Sequence, residues 1–284
     1  MDTVAIVGVG LIGGSFGLAL QKAGFKGRIL GVSSAPTLEQ ALAAGAIHAP
    51  ASLEEAAQQA DLIYLAQPIS RIIETITALE ELARPACLVT DAGSTKAQIV
   101  LHAANTLTRC GFLGGHPMAG RESRGVTSAD ADLFRGKTYV LTPRDGRELN
   151  TPLASDFVAW IARIGGLPVT LTPEEHDRTV AFTSHLPQMA STALAAALAE
   201  NLSSDTEYKV SGPGLIDTTR LALSSFEIWS DIVQTNTSDI DHALKVYIDK
   251  LEQLRQNLTT RKLREEFLLA SQSASRIRRG RSKG

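Results

Sequence analysis

The sequence predicts an α/β fold in which a doubly wound parallel sheet is followed by an all-α C-terminal domain. Three observations carry the prediction. An apolar, β-branched run at residues 4–7 breaks into a cluster of glycines, strand-like and helix-like patterns alternate as far as residue 171, and no strand pattern follows residue 172. With 284 residues, the chain exceeds the common size of one domain, so two cores are expected.

The first strand, Val4-Ala5-Ile6-Val7, runs into Gly8-Val9-Gly10-Leu11-Ile12-Gly13 and an amphipathic helix that Gly24 closes at a left-handed C-cap. This is the grammar of a Rossmann-type dinucleotide cradle. Gly8 permits the tight turn, Gly10 lets the backbone approach a pyrophosphate, and Gly13 lets the helix lie close on the sheet. The backbone N–H groups at Leu11 and Ile12, with the positive end of the helix dipole, then face the phosphates. Glycines at this spacing occur in many tight turns; the second strand, Ile29-Leu30-Gly31-Val32, supplies the context by following at the distance a βαβ unit needs.

An NAD-specific cradle normally ends its second strand with Asp or Glu on the ribose 2′-hydroxyl. Here the position is Ser33, followed by Ser34 and Thr37, and no acid appears before Glu39. Ser33 and Ser34 are therefore read as ligands of a 2′-phosphate, with NADP preferred and NAD the other candidate.

A helix over 37–44 ends at Gly45, and Ser52-Leu53-Glu54-Glu55 is a capping box. Leu62-Ile63-Tyr64-Leu65 suits a parallel strand buried on both faces and stops at Gln67-Pro68. A helix over 72–82, a strand over 87–90, the polar turn 91–96, a helix over 97–106 and a strand over 112–115 follow, with further strands at 138–141 and 167–171. In an open α/β sheet, ligands bind beyond the carboxyl ends of the strands, so Gln67-Pro68, residues 91–96 and the turn His116-Pro117-Met118-Ala119-Gly120 are candidate site segments. A histidine with a reference pKa of about 6.5 can take up a proton near neutral pH.

At Thr172-Pro173-Glu174-Glu175 another capping box opens, with Pro at the first helical position. The expected division is a dinucleotide-binding domain over 1–172, a helical substrate and dimerisation domain over 173–270, and a frayed basic tail over 271–284. Asp177, Ser184 and Gln188 stand at helical spacings on one polar face that His185 borders, and Pro187 opens the ladder beside it. Arg220, after Gly212-Pro213-Gly214, is positioned to fork onto a carboxylate. The stripe Ile240, Leu244, Ile248, Leu251, Leu254 and Leu258 needs a partner, within its own domain or as the seam of a homodimer.

Composition narrows the function classes. Lys plus Arg number 28 against 30 Asp plus Glu, a net charge of −2, which removes the electrostatic case for nucleic acid. No apolar stretch reaches the ~20 residues of a membrane span, and no signal peptide is evident, so a cytoplasmic protein is expected. Cys87 and Cys110 then read as reduced thiols, and no metal site is supported by the histidine or cysteine spacing.

The glycine motif, Asp91-Ala92-Gly93-Ser94-Thr95-Lys96, Gly114-Gly115-His116-Pro117-Met118-Ala119-Gly120, Ser184-His185-Leu186-Pro187, Asp217-Thr218-Thr219-Arg220 and Trp229-Ser230-Asp231-Ile232 together resemble the prephenate/arogenate (cyclohexadienyl) dehydrogenase family of tyrosine biosynthesis. The resemblance spans residues 3 to about 260. It implies a Rossmann domain, a helical dimerisation domain and a cleft between them. It also implies NAD(P)-dependent oxidative decarboxylation of a small-molecule substrate, giving 4-hydroxyphenylpyruvate from prephenate or tyrosine from arogenate. By the resemblance, His116 is the catalytic base, Ser94 hydrogen-bonds near it, Arg220 pairs with a substrate carboxylate, and Ser184 and His185 wall the pocket. Glu122, His176, Asp177 and Trp229 would surround the cleft mouth. Two positions depart from the common pattern: Gln188 stands where many prephenate-using relatives carry histidine, and Arg121 where threonine is frequent. Both are read as substrate contacts, and Gln188 tilts the expectation toward arogenate. The competing readings are a 3-hydroxyacid-type dehydrogenase of similar layout and a cofactor-sensing regulator without turnover.

Overall fold

The computed structural model describes residues 1–121 and 123–281. The chain packs as two compact units, one of Met1–Asp177 with Glu227–Thr235, the other of Arg178–Phe226 with the chain from Asn236 onward.

The first unit alternates strand and helix: β1 (Thr3–Val7), α1 (Leu11–Lys22), β2 (Arg28–Val32), α2 (Ala35–Ala43), β3 (Ala49–Pro50), α3 (Leu53–Gln59), β4 (Leu62–Leu65), α4 (Ile69–Leu82), β5 (Leu88–Asp91), α5 (Ala97–Thr106), β6 (Gly111–Pro117), β7 (Thr138–Thr142), α6 (Pro152–Arg163) and β8 (Leu167–Thr170). The sheet order is β3-β2-β1-β4-β5-β6-β7-β8, so the chain reverses its direction of growth between β1 and β4, the place where α/β sheets bind ligands. The strands β1 and β4 are apolar runs buried on both faces, as parallel central strands require, and β5 is equally buried but ends in the polar Thr90 and Asp91. Helix α1 lies close enough for Phe16 to stack on Tyr64 with ring centroids 4.1 Å apart.

One pairing departs from the doubly wound expectation: β7 runs antiparallel to β6. Among the described residues the connection between them holds a 3-10 turn, Val126–Ser128, and no helix, and without a crossover helix the chain cannot return to the same edge to run parallel. In consequence, His116 lies within β6, opposite Val140, rather than in a turn after it.

The helices after β8 are α7 (Pro173–Val180), α8 (Leu186–Asn201), α9 (Asp205–Tyr208), α10 (Pro213–Thr219), α11 (Phe226–Thr235), α12 (Thr237–Gln256) and α13 (Lys262–Arg281). The division falls after Asp177 rather than at residue 172, and most of α11 groups with the sheet. The physical cause is local: the Asp231 carboxylate accepts hydrogen bonds from Ser70 N (2.9 Å) and Ser70 Oγ (3.0 Å) at the start of α4, and Thr235 Oγ1 lies 2.7 Å from Thr95 Oγ1. Between α7 and α8 the chain widens into a π turn, Ala181–His185. Pro187 therefore sits in the first turn of a new helix, where its missing N–H costs nothing, instead of breaking a continuous one. The tail also differs from expectation, because residues 271–281 continue α13 as helix. Among the described residues no helix is long and apolar enough to cross a membrane.

Candidate active site

The glycine turn has the geometry a bound dinucleotide needs. Gly8 has φ of +91°, and a Cβ there would stand 2.5 Å from the Ala66 carbonyl oxygen. At Gly13 a Cβ would collide with the Gly8 carbonyl and meet Ile6 at 2.8 Å, whereas at Gly10 it would meet nothing within 4 Å. Gly8 and Gly13 are thus demanded by packing, and Gly10 by the open space over which a pyrophosphate can approach the backbone. Gly10 caps α1 without a side-chain hydrogen bond, and the first turn holds no acidic residue, so the N–H groups at Leu11 and Ile12 present the positive end of the helix. These residues fit a pyrophosphate.

Beside this turn lies a cavity of about 430 Å³ within the first unit. Its wall joins four segments far apart in sequence: Leu11 and Ile12 of α1, Gln67 and Pro68 after β4, Ser94 after β5, and Arg121 after β6, with Glu227 and Asp231 of α11 on another side. Gln67 is held by a hydrogen bond that its Oε1 accepts from Thr75 Oγ1 (2.8 Å). Arg121 is ion-paired with Asp130, so its charge is already partly met at the cavity wall. Ser33 and Ser34 are exposed at the end of β2; Ser34 precedes α2, and its Oγ lies 2.9 Å from Thr37 Oγ1. The first turn of α2 has no acidic residue.

His116 is half-buried, and its Nδ1 lies 2.8 Å from Nε2 of His176. His176 is fully buried, and its Nδ1 lies 2.7 Å from Asp177 Oδ1. Asp177 in turn accepts from Lys96 N (2.7 Å) and Ala97 N (2.9 Å) at the start of α5. An ionised carboxylate only accepts, so His176 carries its proton on Nδ1 and accepts at Nε2. His116 must then donate from Nδ1, which puts its own proton-accepting lone pair on Nε2. The resemblance had placed His176 and Asp177 at a cleft mouth. Instead both are buried behind His116, because the Asp177 carboxylate is taken up by the orphan amides of α5. Glu122, assigned to the same mouth, lies outside the described residues.

Under β6 a second buried pair sets the backbone. The Lys96 ammonium is ion-paired with Asp91 and donates to the Gly115 carbonyl oxygen (2.9 Å), while Asp91 accepts from Gly93 N (2.8 Å) and Gly115 N (3.2 Å). Burial pushes the Lys96 ammonium down, and the Asp91 carboxylate counters it. The residue before His116 and the loop carrying Ser94 are therefore tied to one carboxylate. Nothing in the residue types singled out Lys96 as buried. The signal available was its place in the 91–96 turn, directly before a helix.

In the second unit the expected polar face does not form as one strip. Asp177 belongs to the first unit, and the π turn shifts the helical phase between it and Ser184. Ser184 is half-buried in that turn, whereas His185 is buried with its Nδ1 3.3 Å from Asn236 Nδ2. Gln188 is also buried, and its amide nitrogen donates to the Leu221 carbonyl (2.9 Å) and to Thr192 Oγ1 (3.2 Å). Ser191 Oγ accepts from Ala222 N (3.1 Å). Gln188 and Ser191 together hold the 3-10 turn Arg220–Leu223, which presents Arg220 exposed. Ser191 carried no sequence signal beyond its spacing from Gln188.

The chain matches two family models in succession. Residues 16–158 match the prephenate dehydrogenase nucleotide-binding domain, and residues 172–270 match the prephenate dehydrogenase dimerization domain. The prephenate dehydrogenase of Bacillus subtilis is 34% identical over 265 residues, 89% of this chain and 69% of that one. The crystal structure of prephenate dehydrogenase from Aquifex aeolicus in complex with hydroxyphenyl propionate and NAD+ superposes with a TM-score of 0.84 at 31% identity, covering 98% of this chain and 97% of that one. Synechocystis arogenate dehydrogenase superposes with a TM-score of 0.80 at 29% identity, covering 97% and 99% of the two chains. A chain that carries both modules in this order, and aligns with such enzymes nearly end to end, belongs to the prephenate dehydrogenase family.

Proposed function

We propose that this oxidoreductase converts arogenate, prephenate or both by oxidative decarboxylation, and that it prefers NADP to NAD. The observation that carries the mechanism is the chain of contacts from His116 through His176 to Asp177. His116 Nε2 takes the proton of the substrate ring hydroxyl, and the imidazolium that forms is stabilised through His176 by the Asp177 carboxylate. When bound, the nicotinamide cofactor supplies the acceptor for the hydride that leaves the same carbon. Loss of CO2 aromatises the ring and supplies the driving force. Ser94, on the cavity wall, orients the hydroxyl being deprotonated. Arg220 is assigned a substrate carboxylate, with Ser184, His185 and Gln188 as further substrate-side residues. Gln188 brings no positive charge to meet a keto-acid carboxylate, which favours the amino-acid side chain of arogenate.

The cofactor would be held by Gly8, Gly10, Leu11, Ile12 and Gly13, with Gln67 and Pro68 as further cofactor-side residues on the same cavity wall as Leu11 and Ile12. The preference for NADP is supported by Ser33 and Ser34, exposed where a carboxylate would repel a 2′-phosphate, and by the acid-free first turn of α2. A homodimer through the helical unit is supported by the dimerization-domain match and by apolar side chains left exposed on α12, Val246 (45%), Ile248 (58%) and Leu251 (47%), and by Leu258 (65%) just beyond its end.

The deciding experiment follows cofactor reduction with each of the two substrates and each of the two cofactors, and identifies the product. Tyrosine or 4-hydroxyphenylpyruvate formed together with CO2 and one equivalent of reduced cofactor is expected. Reduced cofactor without CO2 release, or no turnover with any pair, overturns the assignment.

A further inference from the structure

Cys87 directly precedes β5 and Cys110 directly precedes β6, two neighbouring parallel strands whose register pairs Leu88 with Gly111. Backbone bonds lock the two cysteines side by side: Gly111 N donates to Cys87 O (2.9 Å), and Ala86 N donates to Arg109 O (3.0 Å). Lateral neighbours on adjacent strands have Cα atoms about 5 Å apart, inside the range a disulfide spans. Both are free thiols, and their Sγ atoms lie 2.6 Å apart. Cys87 donates to Cys110 Sγ, and Cys110 donates to the Arg84 carbonyl (3.3 Å). Cys87 is buried, whereas Cys110 is half-buried and lines a cavity of about 260 Å³ whose wall includes Arg144 and Arg147.

We propose that Cys87 and Cys110 form a dithiol modification site, converted to an intramolecular disulfide by small disulfides of the glutathione class. The hydrogen bond from Cys87 holds the Cys110 thiol below its ordinary range, while the same contact and burial push Cys87 up, so Cys110 is the attacking group. The Cys110 thiolate attacks one sulfur of the external disulfide, forming a mixed disulfide and releasing the first small thiol. Cys87 then loses its proton and attacks Cys110 Sγ, expelling the second small thiol. Two protein thiols are oxidised to one disulfide, one external disulfide is reduced to two thiols, and the two protons end on the released thiols.

The bridge joins the amino ends of β5 and β6, opposite to the ends that carry the Ser94 loop and His116, and it closes a loop between residues separated by 23 positions. Its effect is therefore on stability rather than turnover. The native full-length protein incubated with glutathione disulfide should lose both titratable thiols and become lighter by two hydrogens, without a persisting glutathione adduct. Its thermal midpoint should rise by roughly 5–10 °C, with kcat/KM unchanged and full reversal by dithiothreitol. Cys87→Ser should instead retain glutathione on Cys110, the trapped first step. Two thiols that stay titratable, an adduct that persists on the wild-type protein, or a bridge between two chains would each overturn the proposal.

Discussion

Replacing His176 tests whether the buried second histidine acts through His116 or only fills space. His176→Leu keeps a side chain of comparable volume at a fully buried position but removes both polar contacts, the 2.8 Å contact to His116 and the 2.7 Å contact to Asp177. Asp177 retains its two amide donors from Lys96 and Ala97, so the start of α5 stays capped. What is lost, under the proposed mechanism, is the brace on the imidazolium that His116 becomes in the transition state. A hydrogen bond to a charged group contributes about 1.5–3 kcal/mol, and each ~1.4 kcal/mol is tenfold in rate, so kcat should fall roughly 10- to 150-fold. Substrate and cofactor do not touch His176 in this account, and KM should change by less than about threefold. His176→Gln supplies an acceptor toward His116 and a donor toward Asp177, and it should recover most of the loss. Steady-state kinetics on all three proteins, with thermal midpoints to confirm folding, decide the matter. If the Leu and Gln variants are equally slow, or if kcat does not move, His176 is a packing residue and the relay is wrong.

Three further outcomes are expected. His116→Asn should lower kcat by about 10²- to 10⁴-fold while leaving the cofactor Kd, measured by fluorescence titration, nearly unchanged, because the proposed mechanism assigns the nucleotide to the glycine turn and only the proton to His116. Ser33→Asp should reverse the cofactor preference, read as the ratio of kcat/KM for NADP to that for NAD; a ratio that does not move refutes Ser33 as a phosphate ligand. Asp61 precedes β4 and accepts from Asp2 N (2.6 Å) and Thr3 N (2.9 Å) besides pairing with Arg84. Burial acts to raise its carboxyl, but these donors outweigh it and hold the value below the ordinary one. A depressed folded value means that the stabilisation is fully present above the unfolded carboxyl's pKa of about 4 and is lost as pH falls through the lower folded value. Asp61→Asn should therefore cost about 1 kcal/mol at pH 7 and less at pH 3, and an equal loss at both would rule out the charge as its source.

Several features of the fold and site are legible in the residues themselves, for physical reasons that act over a few positions. The glycine turn can be read because only glycine tolerates the positive φ at position 8 and the close approach at position 13. Buried parallel strands such as Leu62–Leu65 announce themselves as unbroken apolar runs, and the capping box at Ser52 forms as its spacing predicts. His116 and Ser94 are marked by their place at strand ends. Contacts between distant segments are another matter, since nothing in local periodicity states which orphan amides a carboxylate will meet. Asp177 leaves its expected polar face because the amides of Lys96 and Ala97, some 80 positions earlier, bind it. That capture pulls His176 behind His116 and creates the chain of contacts between them. Likewise α11 groups with the sheet through Asp231 and Ser70, and β7 turns antiparallel for want of a crossover helix. The chemistry-bearing residue types were set by the chain; which atoms of them face one another was decided by tertiary packing, where satisfying a buried charge outweighs helical phase.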